Sequence, residues 1–280
     1  MKKTKFVIGA SVLLILSFIG QSIVAQETET TTPKVETLNN THYVPDDFPT
    51  IQAAIDSNEV KYFDTIIVRS GTYTLDEELV IHKPIKLIGE DKETTIIEVN
   101  GYSVEVIQIS ASFVTVSGFT VRNGDYAGIY VYSGYIGVKI TNNIITDCKM
   151  GIEIWDSNCN TVSNNIVTNN EDAGIFICEA SFNKVVGNVV ENNYKGIELV
   201  AATGNFIGDS DDNTLKNQLI GNHIGIEIGV FSVYLDETLE QNNLFEGNDY
   251  DIHRWWVPGA ENYGGNSPTG QLINILPSSQ

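Results

Sequence analysis

Short apolar segments recur through the middle of the chain at nearly constant spacing, and most are built on the motif Gly-Ile-x-Ile. The central isoleucine of these segments falls at Ile129, Ile152, Ile175, Ile197, Ile226 and Ile252. Successive intervals are 23, 23, 22, 29 and 26 residues. A repeat of this length is typical of a solenoid, because one repeat cannot bury its apolar side alone and must stack on its neighbours.

A second motif lies between the first ones and combines spaced apolar positions with Gly or Asn at its third position. It begins at Val116, Ile140, Val162, Val185 and Leu215. Alternation of apolar and polar residues indicates strands with one buried face, and the period leaves room for two or three such strands but not for a helix. We therefore predict an all-β fold, a right-handed single-stranded parallel β-helix with about 22–23 residues per rung.

Asparagine recurs between these strands at two registers. The first contains Asn142, Asn164 and Asn217, and the second contains Asp147, Asn169, Asn192 and Asn222. Asn tolerates left-handed turns, and its amide can hydrogen-bond to the amides above and below it in a stack. The recurrence predicts that these residues form turns and structural ladders rather than ligand sites.

Both ends of the repeat region depart from the pattern. Ile51, Ala54 and Ile55 have helical spacing, which predicts a capping helix within residues 44–57 that covers the first rung. At the other end the segment HRWWVPGAENYGGN breaks the repeat. We expect residues 253–280 to form the C-terminal cap, since an open solenoid end exposes apolar surface.

The N-terminus has the features of a secretory signal peptide. Three lysines precede an apolar run, and Ala25 suits the end of a cleavage site. We predict a signal peptide at 1–25, a threonine-rich flexible linker at 26–42 and a β-helix domain at 43–280. The predicted location is secreted or at the cell surface, without a stable membrane span after cleavage; an uncleaved membrane anchor is the alternative.

The charge balance restricts the possible partners. The chain has 16 Lys and Arg against 36 Asp and Glu, a formal charge of −20. Such a protein repels nucleic acid, because binding it requires clustered basic residues. Three cysteines, Cys148, Cys159 and Cys178, are too few for a disulfide framework, and we expect isolated thiols.

The residues between the inward isoleucines predict one continuous outer face. One residue per rung points outward there, namely Tyr130, Glu153, Phe176, Glu198, Glu227 and His253. Tyr132, Trp155 and Trp255 lie on the same face, two positions further on. Sugar rings stack on aromatic side chains while carboxylates bind their hydroxyl groups. We predict ligand-binding residues at Tyr130, Tyr132, Trp155, Phe176 and Trp255.

The three glutamates of this face are candidate catalytic residues. Glu198 and Glu227 occupy adjacent rungs, roughly 5 Å apart, which is the separation of carboxylates in retaining glycosidases. Glu153 lies two rungs from Glu198, nearer the separation in inverting enzymes. The alternative is a solvated acidic face whose charge is partly compensated by Lys195.

The long 29-residue interval contains an acidic insertion, GDSDDNT. Asp209, Asp211 and Asn213 alternate there as in the first half of a calcium-binding loop. Thr214 and Ile220 replace the glycine and the glutamate that an EF-hand requires. Calcium is thus a possible cofactor at this turn, and a solvated turn without metal is the alternative.

The segments VPDDFPTIQAAID, TIIVRSGTY and IHKPIKLIGE, followed by Asn-rich rungs, resemble the secreted carbohydrate-binding and sugar-hydrolase β-helix superfamily, especially its NosD-type members. The resemblance covers about residues 43–266. It implies the β-helix fold and a polysaccharide or cell-surface glycan partner, but the superfamily includes enzymes, surface proteins and a factor linked to copper supply. The Gly-His-Gly segment of polygalacturonase-like members is missing.

A copper role would require clustered Met, His or Cys residues. Met150 lies near Cys148, while the histidines are scattered at His42, His82, His223 and His253. Two hypotheses for function remain. The first is a non-catalytic polysaccharide-binding or structural and adhesive module, and the second is a polysaccharide hydrolase or lyase that uses the carboxylate face.

Overall fold

The computed structural model describes residues 39–100, 105–232, 234 and 236–255. These residues form a parallel β-helix, so the predicted fold class is confirmed. The predicted signal peptide, most of the linker and the C-terminal segment beyond Trp255 lie outside the described residues. Each regular rung contributes one strand to each of three sheets, which hold eight strands apiece within the described part of the chain.

The strands are numbered in chain order. The first sheet consists of β1 (Thr41–Val44), β2 (Thr65–Val68), β5 (Lys86–Gly89), β8 (Thr115–Ser117), β11 (Lys139–Thr141), β14 (Thr161–Ser163), β17 (Lys184–Val186) and β20 (Phe206–Ile207). The second consists of β3 (Gly71–Leu75), β6 (Thr95–Val99), β9 (Thr120–Arg122), β12 (Ile144–Thr146), β15 (Ile166–Thr168), β18 (Val189–Glu191), β21 (Asn217–Ile220) and β23 (Asn243–Glu246). The third consists of β4 (Leu79–Ile81), β7 (Glu105–Ile109), β10 (Ala127–Val131), β13 (Met150–Trp155), β16 (Ala173–Cys178), β19 (Lys195–Val200), β22 (Ile224–Ile228) and β24 (Tyr250–Arg254).

The Gly-Ile-x-Ile motifs form the third sheet in the predicted register. Ile152 pairs with Ile129 on one side and with Ile175 on the other, in parallel strands. The central isoleucines are fully or almost fully buried. Like residues therefore stack on like residues along the core, which explains why the motif returns once per rung.

The glycine of the motif is required by close packing between rungs. A Cβ atom on Gly151 would lie 2.5 Å from the carbonyl oxygen of Gly174 and 3.0 Å from Nδ2 of Asn170. The same conflict recurs at Gly174, whose Cβ would lie 2.9 Å from the carbonyl oxygen of Gly196. The bare glycine leaves space for the neighbouring backbone and for a buried asparagine side chain.

Buried asparagine ladders run along all three corners of the helix, and two of their members were among the residues predicted for them. The members are Asn143, Asn165, Asn188, Asn217 and Asn243 at the first corner, Asn170, Asn193, Asn222 and Asn248 at the second, and Asn160, Asn183 and Asn205 at the third. Asn217 and Asn222 had been assigned correctly to ladders. The other predicted members do not belong to a ladder but have the left-handed backbone expected of turn residues, and the residue that follows each one is buried; they are Asn142, Asp147, Asn164, Asn169 and Asn192.

Cys148 occupies the place of an asparagine at the start of the second ladder. Its backbone N–H donates to Oδ1 of Asn170, and its thiol contacts the N–H of Gly124 and the carbonyl oxygen of Thr146. The other two cysteines are also free, as predicted. Burial raises the pKa of the Cys148 thiol to about 12, so it remains neutral.

Replacing this thiol by an amide is expected to stabilise the protein. Cys148→Asn adds a donor that can reach Oδ1 of Asn170, so we expect the free energy of unfolding to rise by about 1 kcal/mol. Chemical denaturation monitored by circular dichroism measures the change. Cys148→Ser is the control, since its shorter side chain cannot extend the ladder. Equal stability of the two variants would contradict the explanation.

The N-terminal cap forms as predicted but begins later than its predicted bounds. The helix α1 (Ile51–Asp56) starts after Thr50, whose hydroxyl accepts a hydrogen bond from the Ala53 N–H, and it buries Ile51, Ala54 and Ile55. Strand β1 precedes it and begins at Thr41, inside the predicted linker. The linker boundary is therefore too late, because residues 41–44 pair in register with β2.

The last rungs also differ from the prediction in two ways. A helix, α2 (Asp236–Asn242), fills part of the interval before β23, where the sequence pattern predicted only strands and turns. The C-terminal cap does not begin at residue 253, because His253 and Arg254 continue β24 and pair with Glu227 and Ile228. Neither helix in the described part of the chain has the length and apolar character of a membrane span.

Candidate functional site

The outer face of the third sheet carries the predicted column of side chains. Strand pairing aligns Tyr130, Glu153, Phe176, Glu198, Glu227 and His253 in that order. Their exposure differs from the expectation of an open face. Glu153 is fully buried and Glu227 is 3% exposed. Neighbouring side chains on the same face cover both carboxylates, so only part of the predicted column is accessible.

Lys195 holds the two upper glutamates together. Its Nζ lies 2.9 Å from Oε1 of Glu198, 3.0 Å from Oε2 of Glu227 and 3.5 Å from Oδ1 of Asp172. Burial alone would lower the pKa of Lys195, but hydrogen bonds and charges from Glu198 and Glu227 outweigh burial and raise it. The lysine is therefore a permanent cation that neutralises part of the acidic column.

The two glutamates differ in their environments. Burial raises the pKa of Glu198 despite its bond to Lys195. Burial acts on Glu227 in the same direction, but hydrogen bonds from Lys195, His253 and Trp255 lower its pKa below the usual value. Oε1 of Glu227 lies 2.7 Å from Nε1 of Trp255 and 3.0 Å from Nδ1 of His253. With Lys195 on Oε2, both oxygens of Glu227 are engaged in fixed contacts.

A depression of about 390 Å³ opens above this cluster. It is lined by Tyr194, Lys195, His223, Ile224, Glu227, Tyr250, His253 and Trp255. The rings of Tyr194 and His223 stack at 4.8 Å, and Tyr250 meets His223 edge-on at 5.6 Å. Tyr194 is 50% exposed and Trp255 is 62% exposed. The depression thus combines accessible aromatic rings with buried donors and acceptors.

Three rings that line this depression, those of Tyr194, His223 and Tyr250, were not predicted from the sequence as part of a site. Tyr194 and His223 immediately precede the third-sheet strands of adjacent rungs, and Tyr250 begins the next strand. The sequence does contain a signal for them, because a ring occurs at or just before the start of the third-sheet strand on three successive rungs. Such positions lie next to each other in a solenoid.

The predicted aromatic residues do not gather at one place. Trp255 lies in the depression, whereas Trp155 and Phe176 stand on lower rungs of the sheet. Tyr130 and Tyr132 pack edge-on against each other at 5.8 Å, lower still. Tyr132 is 49% exposed and Trp155 is 37% exposed. Both are accessible to solvent on this sheet face, but neither lines the depression.

Glu153 has a different environment from the other glutamates. Its Oε1 lies 3.4 Å from the Tyr126 hydroxyl, a long contact, and its Oε2 is buried with no hydrogen-bond partner among the described residues. Burial, together with repulsion from Glu105, raises the pKa of Glu153 to about 7. This carboxyl group is part of the packed sheet face rather than a group that a polymer can reach.

The acidic insertion forms an exposed turn followed by a one-turn 3-10 helix, Asn213–Leu215. The Asp209 carboxylate accepts a hydrogen bond from the Asp211 backbone N–H, and Asp212 caps the 3-10 helix. Across residues 39–255, as far as they are described, no three His, Cys, Asp or Glu side chains form a group that could hold a metal ion. Calcium binding at Asp209, Asp211 and Asn213 stays a prediction.

Each histidine is paired with a carboxylate. The pairs are His42 with Asp64 at 3.1 Å, His82 with Asp56 at 2.9 Å, His223 with Asp249 at 2.7 Å and His253 with Glu227 at 3.0 Å. His42 and His82 lie at the N-terminal end, and His223 and His253 lie at the depression. Met150 is 6% exposed, and Cys148 is enclosed in its ladder.

The fold and this face define the chain as a parallel β-helix protein with a small aromatic depression on one sheet. A family model described as periplasmic copper-binding protein (NosD) matches residues 54–254. The chain belongs to the NosD family, which confirms the resemblance found in the sequence. No curated protein sequence is significantly similar to the chain.

Several solved structures align with the chain at low sequence identity. ORF18 of Geobacillus virus E2 aligns with a TM-score of 0.48 and 12% identity over 71% of this chain and 54% of the viral protein, so this chain spans about half of that protein's length. A pectin methylesterase in complex with a hexasaccharide aligns with a TM-score of 0.46 and 11% identity, over 75% and 86% of the two chains. The A-module of a mannuronan C-5 epimerase from Azotobacter vinelandii gives 0.30 and 15%, over 73% and 83%.

Proposed function

We propose that the protein is a secreted or cell-surface β-helix module that binds polysaccharide at the depression on the third sheet and does not cleave it. The observation that carries this proposal is the pair of accessible rings, Tyr194 and Trp255, beside the half-buried Lys195 and the buried Glu227. A sugar ring can stack on the aromatic faces while its hydroxyl groups replace water on the polar groups. The volume suits one or two sugar units of a longer chain.

Binding is favoured over hydrolysis by the state of the carboxylates. A glycosidase needs one carboxyl group as acid and a second, accessible carboxylate as nucleophile or base. Glu227 has both oxygens engaged by Lys195, His253 and Trp255, and Glu153 is enclosed. Glu198 alone is partly accessible, and its Oε1 contacts Lys195. Carboxylates held by such contacts are suited to fix the shape of a binding site rather than to act as a nucleophile or base.

Location outside the cytoplasm is supported by the N-terminal sequence. A lysine-rich start, an apolar run and small residues up to Ala25 form a signal peptide pattern, and the family description names the periplasm. A stacked β-helix with buried asparagine ladders also suits a structural or adhesive rod, which is compatible with glycan binding on its side.

The family description also names copper, and the described residues do not fit a copper centre built by this chain. Copper sites use clustered His, Cys or Met ligands. Here the histidines are divided between two ends and each contacts a carboxylate, while Cys148 and Met150 are buried. We therefore assign no copper chemistry to the depression.

Calorimetric titration with neutral oligosaccharides of increasing length tests the proposal. We expect Trp255→Ala and Tyr194→Ala to weaken binding about tenfold each, because each removes a stacking ring. Tyr62→Ala is the matched control, since this tyrosine is 68% exposed but lies away from the depression. Reducing-end assays on the same sugars should detect no product. Product formation that Glu227→Gln abolishes would overturn the non-catalytic assignment, and unchanged affinity in both aromatic variants would overturn the assigned site.

A further inference from the structure

The outer face of the first sheet differs in charge from the rest of this acidic protein. The outward positions of β2, β5, β8, β11, β14 and β17 hold Lys, Thr, Ser, Ile or Val and no carboxylate. The whole chain has 36 acidic residues against 16 basic ones, whereas the charged residues at these outward positions are all lysines. We call it the lysine face.

The lysines of this face are regularly spaced. Strand pairing aligns the first outward positions as Thr65, Lys86, Thr115, Lys139, Thr161 and Lys184. A lysine therefore returns on every second rung, at intervals of about 9.5 Å along the axis. All three lysines are exposed, and no described carboxylate forms a salt bridge with them. They form a straight row of uncompensated positive charges.

A row of exposed phenylalanines follows the edge of the same face. Phe63, Phe113 and Phe182 each lie two residues before a first-sheet strand, and they are 50%, 54% and 63% exposed. All three have a left-handed backbone, with φ of 70°, 61° and 59°. This conformation costs a bulky L-residue roughly 1–2 kcal/mol, and exposure of the ring to water adds a further cost.

The fold itself does not require these rings. Gly137, Cys159 and Gly204 occupy the equivalent positions on other rungs, also with a left-handed backbone. Glycine adopts this conformation without strain. Residues that break local rules where a simpler choice is available mark functional positions.

The rings are also held in place. A Cβ atom on Gly137 would lie 2.6 Å from the Phe113 ring, and one on Gly204 would lie 3.2 Å from the Phe182 ring. The rings of Phe113 and Phe182 thus rest on the glycine of the next rung, which restricts their orientation and leaves the rest of each ring exposed to solvent. A fixed ring loses little side-chain entropy when a ligand stacks on it.

We propose that the lysine face binds an anionic polysaccharide, such as a polyuronate, laid along the axis of the helix. Lysines at regular intervals match a linear polymer with regularly spaced carboxylates, and the flanking rings match the apolar faces of its sugars. Threonine and serine hydroxyl groups between the lysines supply hydrogen bonds to sugar hydroxyl groups. The rings are separated by two or three rungs, so they do not form the contiguous apolar patch that a protein partner requires.

This site is separate from the depression, which lies on the third sheet and whose Lys195 is already paired with Glu198 and Glu227. Polygalacturonate oligomers are the probe, and their binding to the full chain is measured by calorimetry at low and physiological ionic strength. We expect the triple variant Lys86→Gln, Lys139→Gln, Lys184→Gln to bind at least tenfold more weakly, and the salt dependence of binding to be reduced. The matched control changes Lys92, Lys149 and Lys216 to Gln, which alters the net charge equally at other corners and should leave affinity unchanged.

The contribution of the phenylalanine rings to polygalacturonate binding is tested with the variants Phe113→Asn and Phe182→Asn. Asn is the side chain that best tolerates a left-handed backbone, so both variants should fold, and thermal unfolding verifies this. We expect each to weaken polygalacturonate binding about fivefold. Equal loss in the control triple variant, or no loss in the Lys86, Lys139, Lys184 triple variant, would overturn the proposal. Equal lysine-dependent binding of single-stranded DNA or of phosphatidylglycerol vesicles would overturn the assignment to a polysaccharide.

The outcome is independent of the neutral-sugar experiment on the depression. Trp255→Ala should leave polygalacturonate binding unchanged, and the lysine triple variant should leave neutral-sugar binding unchanged. If Trp255→Ala abolishes the binding of both neutral sugars and polygalacturonate, the lysine face is not a separate site.

Discussion

Asn165→Leu is expected to lower the free energy of unfolding by about 4 kcal/mol, enough to unfold much of a marginally stable protein. The Asn165 amide is fully enclosed in the first ladder. Its Nδ2 donates to the carbonyl oxygen of Ile140 at 2.9 Å and to Oδ1 of Asn188 at 3.0 Å. Its Oδ1 accepts from the backbone N–H of Asn143 at 3.0 Å. Leucine has the same branched arrangement of heavy atoms, but it leaves the Ile140 carbonyl and the Asn143 N–H buried without partners.

The preceding asparagine provides the matched control. Asn164 is exposed and has a left-handed backbone with φ of 57°. Glycine accepts this conformation, so we expect Asn164→Gly to change stability by only about 0.5 kcal/mol or less. Denaturant titration of both variants measures the difference. Comparable losses would mean that the stability of the corner depends on backbone conformation rather than on the buried amides.

This pair of residues also shows where sequence reasoning failed. Both positions of the turn favour Asn, the first for its left-handed backbone and the second for its hydrogen-bonding amide, so Asn-Asn pairs do not reveal which residue points inward. Rungs that have glycine instead of asparagine at the first position of the turn show which position is left-handed and which points inward. Gly187 and Gly221 have positive φ, and Asn188 and Asn222 follow them in the ladders. The period, strand register and fold were predictable because they depend on repetition rather than on one residue's orientation.

The alignment of the candidate site residues between rungs was predictable from the sequence, but their accessibility to solvent was not. The alignment of Glu198 with Glu227 follows from the repeat, and the compensating lysine expected beside them, Lys195, contacts both. Burial depends on side chains outside the repeated motif, such as Trp255 over Glu227 and Tyr126 beside Glu153. These residues belong to the variable parts of the rungs, which a periodic pattern does not constrain.

Replacing the buried glutamate should change the pH dependence of stability. Burial and the charge of Glu105 raise the pKa of Glu153 from 4.5 to about 7 in the folded protein, and the Tyr126 hydroxyl opposes the shift. The folded state therefore binds a proton more tightly than the unfolded state does. Below pH 4.5 both states are protonated, and Glu153 imposes no penalty. Between pH 4.5 and 7 the unfolded state ionises while the folded state keeps its proton, so stability falls by about 3 kcal/mol across this range; above pH 7 the folded protein holds an ionised buried carboxylate and the penalty is complete.

Glu153→Gln removes this penalty, so we expect the variant to match the wild type near pH 4 and to exceed its stability by about 3 kcal/mol at pH 8 to 9. The other groups facing Glu153 do not titrate in this window, since burial raises the pKa of Tyr126 and Tyr130 to about 12 and that of Cys178 to about 11. Glu105 is the exception, because its own pKa is also raised by burial. Urea titrations at intervals of one pH unit give the difference between variant and wild type, with the exposed Glu179→Gln as control. A difference that is the same at pH 4 and pH 8 would show that packing, and not ionisation, determines the effect of residue 153.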